Sequence, residues 1–337
     1  MAIIRVGVDT AKHVFQVHGV DEDEQPVLRK QVRRGELVRL FAKLAPTRVG
    51  LEACGAAHHW ARMLAGLGHE VVLLPPQYVK PYVKRGKDDA ADAAAICEAM
   101  SRPGMRFVAP KSAEQQAGLM LLKVRDLLVK QRTMLINALR GHAAEFGVIG
   151  AKGREKLAVL LQHAAGEDAQ VPALAREMLT LLANQVAALE ARIAAIEARL
   201  MRLHKESAVS QCLATQPGIG PIAGVSFALK VGDPRAFRSG RHFAAWIGIT
   251  PRENSTGGRA HPGRISRAGD QTLRRLLVLG ATAVIRQAKP GRAAPWLIAL
   301  LARKPKKLAA VALANKMART VWAMMVSGEV YRSPLPV

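Results

Sequence analysis

Cysteine, aromatic side chains and negative charge are all scarce in this chain. Its 337 residues include three cysteines, Cys54, Cys97 and Cys212, far apart and with no Cys-x-x-Cys pair. That spacing excludes a disulfide framework and a thiolate zinc site, and the three read as buried free thiols. Aromatic residues make up 4% of the chain, and no basic amphipathic helix carries an aromatic face, which argues against a protein lying on a membrane surface. No apolar run approaches the roughly 20 residues of a membrane span. The N-terminal stretch reaches the charge of Asp9 too early for a signal peptide. No Gly-x-Gly-x-x-Gly follows a strand-like segment, so a dinucleotide-binding sheet fits poorly. Asp and Glu number 26 against 50 Lys and Arg, a net charge of +24. Such an imbalance favours a phosphate-rich partner over a neutral substrate and points to a cytoplasmic, nucleoid-associated protein.

Few as the acids are, four of them occupy telling positions. Ile3-Ile4-Arg5-Val6-Gly7-Val8 is β-branched and punctuated by glycine, a buried strand that delivers Asp9 at its C-terminal end. Arg48-Val49-Gly50-Leu51 does the same for Glu52. Asp89 and Asp92 fall three apart in an Ala-rich stretch that reads as helix, which sets both carboxylates on one face with Cβ atoms roughly 5–6 Å apart. Asp88 points about 100° away around the helix and is left out. Carboxylates converging from two strand ends and a helix repel one another unless a cation joins them. Hard oxygen ligands suit Mg²⁺ or Mn²⁺, and in a basic protein the polyanion to cut with such metals is nucleic acid.

Residues 1–108 form the first expected domain. Strands at 3–9, 13–20 and 27–32 precede a helix near 35–44, the strand ending at Glu52, a helix over 56–67, a strand at 70–74 and the helix of Asp89 and Asp92. Three strands in a meander followed by alternating strands and helices is the order of an α/β, ribonuclease H-like (RuvC-like) domain. Residues 109–206 lose the strand signal. A helix is expected over 112–146, and 174–206 repeats a heptad with Leu179, Val186, Ile193 and Leu200 at one seam position and Leu182, Leu189, Ile196 and Leu203 at the other. Such a coiled-coil helix either folds back on helix 112–146 or serves as an oligomerisation arm; the sequence leaves both open.

Residues 207–337 hold 20 Lys/Arg and 4 Asp/Glu and read as a mainly α domain over 207–330 with a tail at 331–337. Pro217-Gly218-Ile219-Gly220 resembles the turn of a helix-hairpin-helix module, whose glycine NH groups and following helix N-terminus can hold a phosphate; a plain helix–turn–helix connection fits equally. Thr250-Pro251-Arg252-Glu253-Asn254-Ser255-Thr256-Gly257-Gly258-Arg259 reads as a polar, Gly-rich loop before Gly263-Arg264-Ile265-Ser266-Arg267 and a helix over 271–288. Arg303-Lys304-Pro305-Lys306-Lys307 is a basic turn suited to phosphate. The candidate nucleic-acid contacts are Gly218, Gly220, Arg252, Arg259, Arg264, Arg267, Arg274 and Lys306, with Arg274 and Arg275 equally readable as a solvated helix face. His58 and His59 read as helix-surface residues, and Trp60, Trp246, Trp296 and Trp322 as core.

These elements, in order, carry a resemblance. Val8-Asp9-Thr10-Ala11-Lys12, Glu52-Ala53-Cys54-Gly55, Lys87-Asp88-Asp89-Ala90-Ala91-Asp92, Pro217-Gly218-Ile219-Gly220, Gly248-Ile249-Thr250-Pro251-Arg252, Ser255-Thr256-Gly257-Gly258 and Ile265-Ser266-Arg267-Ala268-Gly269 together resemble the DEDD transposases of bacterial insertion sequences, in the 110 and 1111 groups, related to Piv-type DNA invertases. The resemblance implies a RuvC-like domain, a central coiled coil and a C-terminal domain with a nucleophilic serine. It also implies recombination between element ends and a target, a guide RNA encoded by the element, and a homo-oligomer from dimer to tetramer with a composite site between protomers. The four carboxylates map to Asp9, Glu52, Asp89 and Asp92. The serine falls on Ser255, with Thr256 at the gapless position and Ser266 suited to a cap or turn role. A junction nuclease using the same carboxylates with water as nucleophile is the alternative; a purely architectural DNA binder would leave the four acids unexplained.

Overall fold

A computed structural model describes residues 2–83, 89–151, 153, 156–165, 171–259, 261–291 and 293–332; Lys87 and Asp88 lie outside them. The chain divides into two compact units, residues 1–116 and 117–337.

Among the described residues, the N-terminal unit is built on a five-stranded sheet. Its elements are β1 (Arg5–Thr10), β2 (Val14–Val20), β3 (Pro26–Arg33), α1 (Leu37–Phe41), β4 (Arg48–Glu52), α2 (Ala57–Ala65), β5 (Glu70–Leu74), α3 (Pro76–Val79) and α4 (Asp89–Ala99). Strand order is β3-β2-β1-β4-β5. β1 pairs antiparallel with β2 and parallel with β4, and β4 pairs parallel with β5. The mixed α/β order anticipated from the sequence is thus present, and it is consistent with a RuvC-like transposase domain. The expected helix at 35–44 is shorter because residues 34–36 take a 3-10 turn.

The two faces of the sheet differ in kind. Val6, Val8, Val49 and Leu51 point into a core with Phe15, Phe41, Trp60 and Leu64. The alternate residues of β1 and β4 face α4, and two of them are glycine. A Cβ on Gly7 would run into the Ala93 carbonyl and lie 2.6 Å from the Cys97 nitrogen; one on Gly50 would lie 3.0 Å from the Met100 sulfur. The absence of side chains there is what lets α4 rest directly on the strands.

The second unit comprises α5 (Ala113–Ala144, starting at the edge of the first unit), α6 (Leu157–Ala165), α7 (Ala173–Glu206), α8 (Ala208–Ala214), α9 (Pro221–Lys230), α10 (Gly240–Ile247), β6 (Pro251–Glu253), β7 (Pro262–Ile265), α11 (Gln271–Gln287), α12 (Pro295–Arg303) and α13 (Lys306–Ser327). The heptad of α7 has a partner within the chain. Leu179 and Val186 share a buried cluster with Ile136, Leu139 and Ala143 of α5 and with Leu157 and Leu160 of α6. Leu200 is buried with Leu122, and the Arg125 guanidinium donates to Glu197 at 2.5 and 2.8 Å. These pairings run antiparallel. By length and composition α7 alone among the described helices is apolar enough to cross a membrane; its buried residues Leu179, Val186, Leu189, Ile193 and Leu200 follow the heptad, while Leu174 and Leu181 are exposed. The remaining helices enclose a cluster centred on Phe227, Phe243, Leu273, Leu277, Ala314 and Val321.

The Gly-rich loop expected at 250–259 proves to be a β-hairpin, with β6 and β7 antiparallel. Gly257 and Gly258 both have positive φ, 57° and 77°, and Thr256 bridges Arg259 across them, the two-residue turn that twisted hairpins favour.

The closeness of α4 to β1 leads to a prediction. Gly7→Ala should cost about 1–3 kcal/mol of stability, the usual penalty of overpacking, and should weaken divalent-cation binding by displacing Asp89 and Asp92. Chemical denaturation and cation titration of the variant read both; unchanged values would mean that the contact is soft.

Candidate active site

Register explains how the acids meet. Val8 of β1 lies beside Leu51 of β4 in a parallel pair, so Asp9 and Glu52 emerge side by side at the C-terminal edge of the sheet, where open α/β sheets bind ligands. Each is two residues beyond a glycine that faces α4, and strand side chains alternate. Asp9 and Glu52 therefore point to the same side as Gly7 and Gly50, towards the helix that bears Asp89 and Asp92. Ligand oxygens of Asp9, Asp89 and Asp92 all lie within 4.8 Å of one another. Glu52 stands outside this tight group but is coupled to it electrostatically. Asp89 is exposed and the other three are half-buried.

The electrostatics are those of a crowded anionic site. Burial pushes the Asp9 carboxyl above the ordinary carboxylate range, with the charges of Asp92 and Asp89 adding to it and the Thr10 backbone NH working against it. Glu52 is also raised, first by burial and then by Asp9 and Asp92. Raised carboxylates mark a place where negative charge is held together at a cost. The donor set is all carboxylate oxygen, the chemistry of Mg²⁺ or Mn²⁺, so the residues fit a divalent cation.

Neighbouring groups depart from expectation. Cys97 is buried on the inner face of α4, but Cys54 is exposed and Cys212 half-buried. Cys54 lies just past the end of β4, where the chain leaves the core, and its sulfur is 3.4 Å from the Thr10 hydroxyl. His58 faces the segment before α5, its Nδ1 accepting from the Lys111 backbone NH at 3.2 Å. His59 is exposed and meets the edge of the Trp60 ring.

In the second unit, Ser255, Thr256, Arg252, Arg259 and Arg264 are all exposed on the β6–β7 hairpin. The hairpin root is pinned: the Ser266 NH donates to the Thr250 carbonyl at 2.8 Å and the Arg267 NH to the Gly248 carbonyl at 3.0 Å. Arg267 is exposed and has a left-handed backbone, φ 56°. Arg274 is half-buried and its guanidinium donates to the carbonyls of Ile247 (2.8 Å) and Gly269 (3.2 Å), so it braces this root. Arg275 donates to Asp126 at 2.6 Å. The cap of α11 is Asp270, which accepts from the Leu273 NH and pairs with Lys230; Ser266 makes a turn contact, its Oγ 3.5 Å from the Ala268 NH.

Gly218 has φ 88°, and a Cβ on it would lie 2.9 Å from the Gly280 carbonyl, so this glycine lets the α8–α9 turn touch α11. Gly220 is exposed at the start of α9 and open to solvent. Lys306 is exposed in the turn from α12 to α13.

Sequence comparison supplies the decisive observation. Residues 6–147 match a family model described as a DEDD transposase of the IS110 type, and residues 210–296 match one described as "Transposase IS116/IS110/IS902 family". The chain belongs to this transposase family. It is 53% identical to y4pF/y4sB of Sinorhizobium fredii, over 98% of this chain and 86% of that one. It is 48% identical to the "Probable family 20 transposase" of Pseudomonas aeruginosa, over 98% and 99%. With the "Transposase for insertion sequence element IS1111A" of Coxiella burnetii it shares 39%, over 97% and 91%. Membership makes this an insertion-sequence transposase, an enzyme that cuts and rejoins DNA. Transposases of the DEDD type typically use divalent metal, and among the described residues the carboxylate cluster at the sheet edge is the group that suits one.

The raised carboxylates fix the sign of a pH effect. A group with a higher pKa in the folded than in the unfolded state stabilises the fold at low pH and loses that contribution as pH rises through its folded pKa. In chelator at neutral pH, Asp9→Asn should therefore melt above the wild type by a few degrees, roughly 2–8 °C per kcal/mol relieved. The gap should close on acidification into the carboxylate range. Millimolar Mg²⁺ or Mn²⁺ should raise the wild-type melting point and leave that of Asp9→Asn nearly unchanged.

Proposed function

We propose that this transposase cuts DNA at the ends of its element and at a target through the Asp9, Glu52, Asp89 and Asp92 centre, and carries the cut strand as a covalent phosphoserine link at Ser255. The observation that supports this most is the gathering of Asp9, Asp89 and Asp92 oxygens within 4.8 Å, beside a Glu52 whose proton affinity is raised by burial and then by Asp9 and Asp92. A divalent cation bound there supplies charge relief on the phosphoryl oxygens and lowers the cost of deprotonating a nucleophile. Asp9, Asp89 and Asp92 hold that charge at the sheet edge, and Glu52 orients and completes the set.

In the strand-transfer step the Ser255 Oγ attacks phosphorus and a bond to the serine oxygen forms. The bond to the leaving sugar oxygen breaks, and a proton equal to the one the serine gave up is delivered to that oxygen, which leaves as a hydroxyl. The link keeps the phosphodiester energy available for rejoining. Ser255 is favoured over Thr256 because its hydroxyl is less hindered and because Thr256 is tied across the turn to Arg259. Arg252, Arg259, Arg264 and Arg267 are exposed and suited to clamp flanking phosphates bidentately, with Gly220 and Lys306 as further phosphate contacts. Arg274 and Gly218 act on the same surface by bracing it.

An RNA encoded by the element guides the choice of DNA, and the protein acts in the cytoplasm on the nucleoid as a dimer or tetramer. Exposed Met120, Val124, Leu127 and Met134 of α5, spaced as a second helical stripe, support self-association.

The test uses purified protein with RNA from the element's flank, Mg²⁺ and labelled junction DNA, resolved on a denaturing gel before and after protease. Wild type should give a protease-sensitive adduct that Thr256→Ala retains and that Ser255→Ala and Asp9→Ala each reduce at least about a hundredfold, in the range of losing an essential nucleophile. Free nicks that survive Ser255→Ala and vanish in Asp9→Ala would instead make the enzyme a hydrolytic nuclease.

A further inference from the structure

Tryptophan in this chain reads as core, and Trp60 obeys, at 4% exposure. Trp246 does not: it is 39% exposed, in the last turn of α10. One face of its indole stacks on buried Phe243, with centroids 5.6 Å apart and planes 25° off parallel. Phe237 leans against it at 5.2 Å and 58° and meets Phe243 edge-on at 5.1 Å. The exposure of Trp246 lies on whatever part of the ring Phe243 and Phe237 leave uncovered. The ring is thus a flat platform, backed by two phenylalanines and fixed in orientation.

Its base is rigid and its surroundings are basic. Ser239 caps α10 by accepting from the His242 NH, and the Trp322 indole NH donates at 2.9 Å to the carbonyl of Pro234. Arg235, Arg238 and Arg241 are exposed on the same short segment. Asp233 is its one carboxylate, and it accepts from the Arg235 backbone NH. The carbonyl of Trp246 is also so near Gly269 that no Cβ fits there, which locks the platform to the root of the β6–β7 hairpin.

We propose that Trp246 is a stacking platform for an unpaired base of single-stranded DNA, with Arg235, Arg238 and Arg241 holding the phosphates on either side. Duplex DNA shows a protein only base edges, whereas an open indole face needs a base face. Base–aromatic stacking accepts any base, and the arginines complement a polyanion. DNA is the strand in question because the platform shares a frame with the hairpin of Ser255; this clause rests on the function proposed above. A strand opened next to its cleavage point would lay its first unstacked base on Trp246.

The experiment is fluorescence anisotropy of the full-length protein with a labelled single-stranded oligodeoxynucleotide, the same sequence as duplex, and the same sequence as RNA. Trp246→Ala should weaken single-stranded DNA binding roughly 5- to 150-fold, the range of one base–aromatic stack. Trp246→Phe should restore most of it, duplex binding should stay within about twofold, and both variants should remain folded at the assay temperature, as thermal melting reads. Quenching of tryptophan fluorescence by the oligonucleotide should diminish in Trp246→Phe. Unchanged single-strand affinity in Trp246→Ala, an equal loss on duplex, or a loss confined to RNA would each overturn the proposal. Binding is read without cleavage, so the two readings fail separately. Adducts that persist in Ser255→Ala and Asp9→Ala sink the recombinase mechanism whatever Trp246 does, and indifferent Trp246 variants sink the platform alone.

Discussion

The N-terminal unit depends on one close approach, that of α4 to β1 and β4. Gly7 and Gly50 remove two side chains from the middle of the sheet, and the helix backbone settles into the space. Any larger residue would lift α4 away, and the carboxylates at its first turn would leave the strand ends. The same approach fixes which acids can meet. Strand alternation puts Asp9 and Glu52 on the side of the two glycines, and parallel register puts them side by side. Burial of Ile96 and Cys97 on α4 and of Met100 just after it, against the sheet, supplies the favourable energy, of order 25 cal/mol per Å² of apolar surface, that keeps mutually repelling carboxylates together.

Charge is distributed to match. A chain with net charge +24 gathers Asp9, Asp89 and Asp92 at one sheet edge and carries 20 Lys/Arg against 4 Asp/Glu over 207–337. A polyanion is drawn to the second and repelled by the first unless a cation intervenes. The proton affinities of Asp9 and Glu52 are raised, first by burial and then by their acidic neighbours. Metal and proton compete for the same oxygens, so cation binding should tighten as pH rises.

Much of this could be read beforehand, and the reasons are physical. β-branched runs ending in Asp9 and Glu52, and the three-residue spacing of Asp89 and Asp92, are local patterns, and local patterns survive into the fold. The decisive Gly-x-acid spacing, Gly7 to Asp9 and Gly50 to Glu52, was also in plain view, but its meaning depends on which helix covers which face. Non-local partners were less legible. The heptad of α7 could have faced another protomer; α5 and α6 of the same chain fill its buried seam. Gly218 resembles a phosphate-binding glycine, yet the carbonyl of Gly280 explains it. Arg274 resembles a DNA contact, yet the carbonyls of Ile247 and Gly269 occupy its guanidinium. Cys54 departs from burial because β4 ends two residues before it.

The β6–β7 hairpin shows how rigidity and exposure are combined. Its tip is polar and exposed throughout its described residues, and little packing holds it. Its root is held from several directions, by two backbone hydrogen bonds, by Arg274 and by the contact of Gly269 with the Trp246 carbonyl. Positive φ at Gly257 and Gly258 makes the tip turn back within two residues, so its reach is set by strand length and not by loop flexibility. Thr256 is drawn into that turn by its bridge to Arg259. Ser255, one residue earlier, keeps an exposed, unbranched hydroxyl on the side of the hairpin. For the nucleophilic role proposed above for Ser255, such a mounting fixes the orientation of the hydroxyl before the substrate arrives.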